Sequence, residues 1–180
     1  MNQRVVALVG ISGVGKTTFV KRVAEKCDFL HLTAGTLIAR GRSIDPVTRD
    51  VLRSSNLEEN QRMLVDGFKE AAGAVAGPIV LDGHVVIHMA SGLAPIDSRV
   101  FAGIGTKLVA HLEANPAQIL SNRLCDTRRD RPSLSVEELE VHQARSLAAA
   151  RRVAVDLGIK LKRLTHDDVD VFAQILREPR

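Results

Sequence analysis

Tryptophan and tyrosine are absent from these 180 residues, and phenylalanine occurs five times. There is accordingly no aromatic platform on which the successive bases of a nucleic acid would stack. Cysteine occurs twice, as Cys27 and Cys125, far apart and with no metal-ligand spacing around either. That excludes the disulfide framework of a small secreted domain and a zinc-finger pattern, and it suits free thiols in a reducing cytoplasm. No apolar run approaches the ~18 residues of a membrane span. Repeats and low-complexity tracts are missing too, which excludes a solenoid.

What is present is an ordinary apolar share, 45%, in a chain long enough for one hydrophobic core. The net charge is +4, but it is clustered. Arg123, Arg128, Arg129, Arg131, Arg145, Arg151 and Arg152 crowd one stretch. Clustered arginines without aromatics fit the gripping of small anions better than the reading of a polymer. Contact with RNA stays open on charge alone.

Val5 to Val9 is a continuous apolar run, as a strand buried on both faces requires. Gly15 to Lys26 reads as a helix, Phe29 to Leu32 as a second strand, and Thr33 to Arg42 as a helix start. Asn56 caps a helix running to about Ala76 and closed by Gly77-Pro78. Ile79 to Asp82 is a third strand, and Gly83 to Gly105 reads as irregular or partly helical. Thr106 to Leu112 is a fourth strand. Asn115-Pro116 caps a helix to about Cys125. Asp126 to Leu134 is a charged loop. Ser135 to Glu138 is a capping box opening a long helix that ends at Gly158. Ile159 to Leu164 is a fifth strand and Asp168 to Leu176 a last helix. Strands alternating with helices predict an α/β fold: a five-stranded parallel sheet with helices on both faces. Ligands of such sheets bind at the carboxyl ends of the strands. The segments after the first three strands should therefore converge.

The first of these is Gly10-Ile11-Ser12-Gly13-Val14-Gly15-Lys16-Thr17, which matches the P-loop. It follows a buried strand and opens a helix, the context that this motif needs. Glycines let backbone N–H groups turn toward phosphate oxygens, and the helix N-terminus adds partial positive charge. Gly10, Ser12, Gly13, Val14, Gly15, Lys16, Thr17 and Thr18 are thus candidate ligands of ATP. Lys16 is assigned to the β- and γ-phosphates and Thr17 to Mg²⁺. Asp82 ends an apolar strand in the manner of a Walker B acid and is the second candidate Mg²⁺ ligand, through water. Cleaving a signal peptide from Met1-Asn2-Gln3-Arg4 would destroy this site, so a cytoplasmic location is expected.

The remaining segments resemble adenylate kinases. His31 to Arg40 (His-Leu-Thr-Ala-Gly-Thr-Leu-Ile-Ala-Arg) is similar to that family's segment after strand two, and Leu81-Asp82-Gly83 to its third-strand Asp-Gly. Arg123-Leu124, followed by Arg128 and Arg131, resembles the lid arginines. His142-Gln143 with Ala148 to Ala150 resembles the helix after the lid in archaeal-type members. The resemblance spans nearly the whole chain. It implies one P-loop kinase domain with an acceptor-binding region at about 33–76 and a short lid at about 126–135. It also implies Thr33, Gly35 and Arg40 at the acceptor, and Arg123, Arg128 and Arg131, with Lys16, on the transferring phosphoryl group. The common bacterial members carry a proline and an arginine shortly after Asp-Gly. This chain reads His84-Val85-Val86 there, so Arg53 is the substitute candidate at the acceptor. The Asp82-Gly83-His84 spacing is similar to the Asp-x-His of archaeal-type adenylate kinases and of related ribosome-maturation ATPases, which also makes His84 a candidate.

A nucleoside monophosphate acceptor, AMP first, suits these residues. Its phosphate has a second pKa near ~6 and is mostly ionised at neutral pH, so no general base is required. Strand two ends in Leu32-Thr33-Ala34-Gly35 without a carboxylate, which argues against shikimate- or gluconate-type kinases acting on hydroxyls. Two further readings remain: a switch ATPase with a protein or RNA partner, in which His84 orients water, and a non-enzymatic nucleotide-binding partner. The arginine cluster argues against the last. His88 and His111 read as structural or surface residues. If the loop after Asp126 is a lid, Arg128→Ala should lower kcat by about 10²-fold while ATP affinity changes little. Turnover equal to wild type would remove the lid assignment.

Overall fold

β1 (Val5–Val9) is buried along its whole length, because it has a parallel neighbour on each side and helices on both faces. It pairs with β3 (Ile79–Gly83) and with β6 (Thr106–Leu112). β2 (Leu30–Thr33) and β7 (Lys160–Leu164) complete a five-stranded parallel sheet in the order β2-β3-β1-β6-β7. The structure, a computed structural model, describes residues 3–41, 57–73, 76–89, 92–126 and 133–178.

Side chains alternate across a strand, so β1 feeds two cores. Val6 and Leu8 join Phe19, Val20 and Val23 of α1 (Lys16–Ala24) and Phe172, Ala173 and Leu176 of α7 (Val169–Arg177). Ile119 of α5 (Pro116–Cys125) belongs to the same side. Val5, Ala7 and Val9 face Leu64, Phe68 and Ala72 of α3 (Leu57–Ala72) and Ala150 and Val153 of α6 (Val136–Leu157). Leu37 of α2 (Ala34–Gly41) also lies there. These elements match the expected ones to within a few residues. The Asn56 cap lies outside the described residues.

The caps follow from local chemistry. Asn115 Oδ1 accepts from Ala117 N at 2.9 Å, with Pro116 at the first helical position of α5. Ser135 N donates to Glu138 Oε2 at 2.7 Å and Glu138 N donates to Ser135 Oγ at 3.2 Å. This reciprocal pair opens α6, which closes at Gly158 in a left-handed conformation, φ 63°.

One expectation needs correction. Residues 83–105 are not mainly irregular. They form an antiparallel pair, β4 (Val86–Met89) and β5 (Gly92–Pro95), and a short helix, α4 (Ser98–Gly103). Asp97 Oδ1 caps that helix by accepting from Arg99 N at 2.8 Å. Strands of four residues are too short to display a period in sequence, and His88 breaks the apolar pattern of Val85 to Ile87. The ribbon forms because it lies against α6, whose surface it covers.

Register sets the strand ends in line. Thr33 pairs with Asp82, Leu8 with Asp82, and Val9 with both Gly83 and His111. Chain order reverses at β1, so the loop leaving it stands at the topological switch point where such sheets bind ligands. Phe172 is fully buried, and its ring lies 5.5 Å from that of Phe19. Phe172→Ala should cost about 3–5 kcal/mol in urea unfolding. A loss below about 1 kcal/mol would show that α7 does not anchor this core.

Candidate functional site

The loop from Gly10 to Gly15 turns twice through left-handed backbone, at Gly13 (φ 90°) and Gly15 (φ 91°). Neither position has room for a side chain. A Cβ on Gly13 would stand 2.5 Å from Arg123 Cγ, and one on Gly15 2.7 Å from the His166 ring. The loop is thus lined from outside by α5 and by the turn between β7 and α7. Asn122 Nδ2 donates to Gly13 O at 2.9 Å, and His166 Nε2 donates to Val14 O at 2.7 Å. Inside, Ser12 Oγ is buried with no hydrogen-bond partner among the described residues. A buried hydroxyl of this kind calls for a partner.

Lys16 opens α1 and is 8% exposed. Its ammonium donates to Gly10 O at 2.8 Å and lies 3.9 Å from Asp82 Oδ1. Thr17 and Thr18 follow it in the exposed first turn. No acidic residue occupies that turn, so the partial positive charge of the helix end faces the loop uncompensated. His84 Nδ1 also donates to Gly10 O, at 2.8 Å. A carbonyl only accepts, so Nδ1 carries the hydrogen.

Burial pushes the Asp82 carboxyl up. The His31 ring, with Nε2 3.9 Å from Oδ2, the Lys16 ammonium and the His84 ring outweigh it and hold the group below the usual carboxylate range. Asp82 is therefore an ionised carboxylate and a poor base. Together with the Thr17 hydroxyl it supplies hard oxygen donors. One carboxylate and one hydroxyl suit a Mg²⁺ ion that keeps water ligands and leans on substrate phosphates. Among the described residues no group of three or more His, Cys, Asp or Glu forms a cage for a metal.

The expected acceptor residues are distributed unevenly. Thr33 ends β2 beside Asp82, and its hydroxyl donates to Thr36 Oγ1 at 2.7 Å and accepts from Thr36 N at 3.2 Å, capping α2. Gly35 lies half-buried in the first turn of α2. Arg40 is exposed in its last turn and lines a groove with Arg62, Asp66 and Glu70 of α3. It stands seven positions after Thr33 along the chain, a helical rise of roughly 10 Å. Arg123 lies on the P-loop. Arg53, Arg128 and Arg131, with most of the expected lid, lie outside the described residues.

Asn122 and His166 belong to no motif of the sequence, and His31 stands in one only as the first residue of the segment from His31 to Arg40. The only signal was placement: His166 follows the carboxyl end of β7, where ligands gather, whereas His31 is the second residue of β2. His111 is fully buried, with Nε2 3.0 Å from Ser146 Oγ and Nδ1 3.3 Å from Glu113 Oε1.

A phosphate cradle between β1 and α1, at the switch point of a parallel sheet, defines a P-loop NTPase. The family model described as an AAA domain matches residues 9–140. The adenylate kinase of Pyrococcus horikoshii is 30% identical over 171 residues, covering 91% of this chain and 87% of its own. That of Methanocaldococcus jannaschii is 29% identical over 177 residues, covering 93% and 92%. The chain belongs to the adenylate kinase family of P-loop NTPases. In fold it is also similar to the shikimate kinase of Bacteroides thetaiotaomicron (TM-score 0.57, 15% identity, 97% and 96% of the two chains). The shikimate kinase of Acinetobacter baumannii gives a TM-score of 0.57 at 18% identity over 96% and 90%. At such identities the likeness is one of fold. No described helix is long and apolar enough to cross a membrane.

Behind Arg123, the His142 ring of α6 stands perpendicular to His88 of β4, their centroids 4.7 Å apart. Burial, with His88, Arg123 and Arg145 nearby, lowers the His142 pKa to about 4. The unfolded chain thus takes up a proton near pH 6.5 that the folded chain refuses until about pH 4. Stability from this group is complete above pH 6.5 and is lost as pH falls toward 4, by up to about 1.4 kcal/mol per pH unit. Urea titrations across that window should show this slope in wild type and not in His142→Gln. Equal slopes would remove His142 as its source.

Proposed function

We propose that this kinase transfers the γ-phosphoryl group of ATP to a nucleoside monophosphate, AMP first among them. The observation that carries this reading is the pairing of Asp82 with the Lys16 ammonium, 3.9 Å apart at the phosphate site. The carboxylate at the phosphate site is held ionised by Lys16, His31 and His84, so it is a weak acceptor for a hydroxyl proton. The attacking oxygen must arrive already ionised, and a phosphate monoester with a second pKa near ~6 does so. The relatives' shared name, adenylate kinase, supports the same acceptor.

In this reading an oxygen of the acceptor phosphate attacks the γ-phosphorus in line. The bond to the β–γ bridging oxygen breaks, and two nucleoside diphosphates leave with no proton removed by the protein. The loop amides and Lys16 hold the donor. Arg123, Arg128 and Arg131 meet the charge on the transferring group. Thr17 and, through water, Asp82 would hold Mg²⁺, which neutralises charge on the β- and γ-phosphates. Thr33, Gly35, Arg40, Arg53 and His84 are assigned to the acceptor. Cys27 and Cys125 are both free thiols, which fits the reducing cytoplasm where such nucleotides are held.

A second reading, an ATPase acting as a switch with a protein or RNA partner, rests on His84. Its ring is fixed against Gly10 O at 2.8 Å, a position from which a histidine could orient water beside Asp82. A coupled assay with ATP, Mg²⁺ and each of AMP, CMP, GMP, UMP and dTMP separates the two. Diphosphate formed from one acceptor well above acceptor-free hydrolysis is the expected result. Hydrolysis that no acceptor redirects would transfer the lead to the switch. Lys16→Ala should lower turnover by at least about 10²-fold under either reading, and retained activity would undo the phosphate site itself.

A further inference from the structure

We propose that His166 and Asn122 are positioning residues for the donor nucleotide: by gripping the outward carbonyls of Val14 and Gly13, they fix the turn of the loop and aim the Gly15 N–H at its phosphates. The proposal rests on the P-loop and is independent of which acceptor is used.

The argument begins with the peptide bond. In a trans peptide the carbonyl of one residue and the N–H of the next lie in one plane and point in opposite directions. Holding Val14 O outward therefore turns the Gly15 N–H inward, and holding Gly13 O outward does the same for Val14 N–H. Val14 N, so directed, makes a 3.3 Å bond across the loop to Ile11 O, which closes the turn and leaves the Gly15 N–H as the donor that faces the phosphates. Gly13 and Gly15 have no side chain to restrain these planes, and a loop free to rotate them would scatter its donors. Donors are useful to an anion when they already converge.

Both grips are themselves fixed. Gln118 Nε2 donates to Asn122 Oδ1 at 3.0 Å, which orients the amide and leaves Nδ2 for Gly13 O at 2.9 Å. His166 O accepts from Arg22 at 2.7 Å, and its ring stands edge-on to Phe19 at 6.1 Å. The turn carrying it is tied by Thr165, whose N and Oγ1 both donate to Asp168 Oδ2, at 2.7 and 2.8 Å. Arg22 and Phe19 belong to α1, so the helix that the loop opens also orders the side chain that steadies the loop. His166 fills the space above Gly15 that a Cβ would need. Three separate elements, α5, the β7–α7 turn and His84 after β3, thus hold the carbonyls of Gly13, Val14 and Gly10.

The test uses the full-length chain, with ATP and Mg²⁺ titrated calorimetrically. His166→Leu removes the donor, and His166→Gln keeps an N–H at similar reach. ATP affinity should fall about tenfold in His166→Leu and return most of the way in His166→Gln. Asn122→Ala should lose about threefold or more. In steady-state kinetics the donor KM should rise while the acceptor KM stays unchanged. The Gly15 amide resonance should move in His166→Leu and stay near its wild-type position in His166→Gln. A merely structural role would lower the unfolding temperature without this split, and wild-type ATP affinity in a folded His166→Leu would overturn the proposal. Should His166→Leu not fold, Asn122→Ala decides: weakened ATP binding in a folded protein supports the proposal, and unchanged affinity overturns it. Because the readout is donor binding, failure here leaves the acceptor assignment standing, and failure of the acceptor assignment leaves this result standing.

Discussion

The site depends on one buried ammonium. Lys16 is 8% exposed, and a charge so far from water requires compensation. It has a carbonyl at 2.8 Å and a carboxylate at 3.9 Å, from the ends of two adjacent strands. That arrangement couples three features. The carboxylate stays ionised because the ammonium is near. The loop stays folded over because the ammonium bonds Gly10 O. The helix that carries Lys16 directs its N-terminal end at the same point. Remove the sheet register that puts Asp82 opposite Leu8, and none of these holds.

The surroundings add constraint rather than charge. The loop's glycines create space, and Arg123 and His166 fill it from outside. The same residues close the loop against solvent and bring a cation next to the phosphate cradle. Here packing and chemistry are one requirement. Gly13 and Gly15 must be glycine because the neighbouring side chains lie within 2.5–2.8 Å of where a Cβ would be, and also because their backbone is left-handed. On the opposite face, β4, β5 and α6 bring His88 and His142 together behind Arg123. Burial first, and then the neighbouring His88, Arg123 and Arg145, disfavour a charge on His142, and its lowered pKa records them together.

Much of this was legible in the chain itself. The all-apolar run of β1, the P-loop letters at its end, the capping box at Ser135 and the Pro116 helix start each rest on interactions within a few residues. Patterns so local survive in sequence. The β4–β5 ribbon did not, since strands of four residues form only against the surface of α6. The partners of the loop carbonyls did not either. Asn122 and His166 lie 109 and 152 residues from the atoms that they grip, and no spacing rule links such positions.

By itself, then, the sequence determined that a strand buried on both faces would deliver a phosphate-binding loop and a helix N-terminus to the carboxyl end of a parallel sheet. Backbone conformation, helix capping and hydrophobic period are short-range, and each is written in adjacent residues. Tertiary structure alone decided how that loop is held: which carboxylate faces Lys16, why it stays ionised, and which side chains turn the amides inward. Those outcomes depend on distances between strand ends and helix faces. Such distances come into being only when the whole sheet has closed around its two cores.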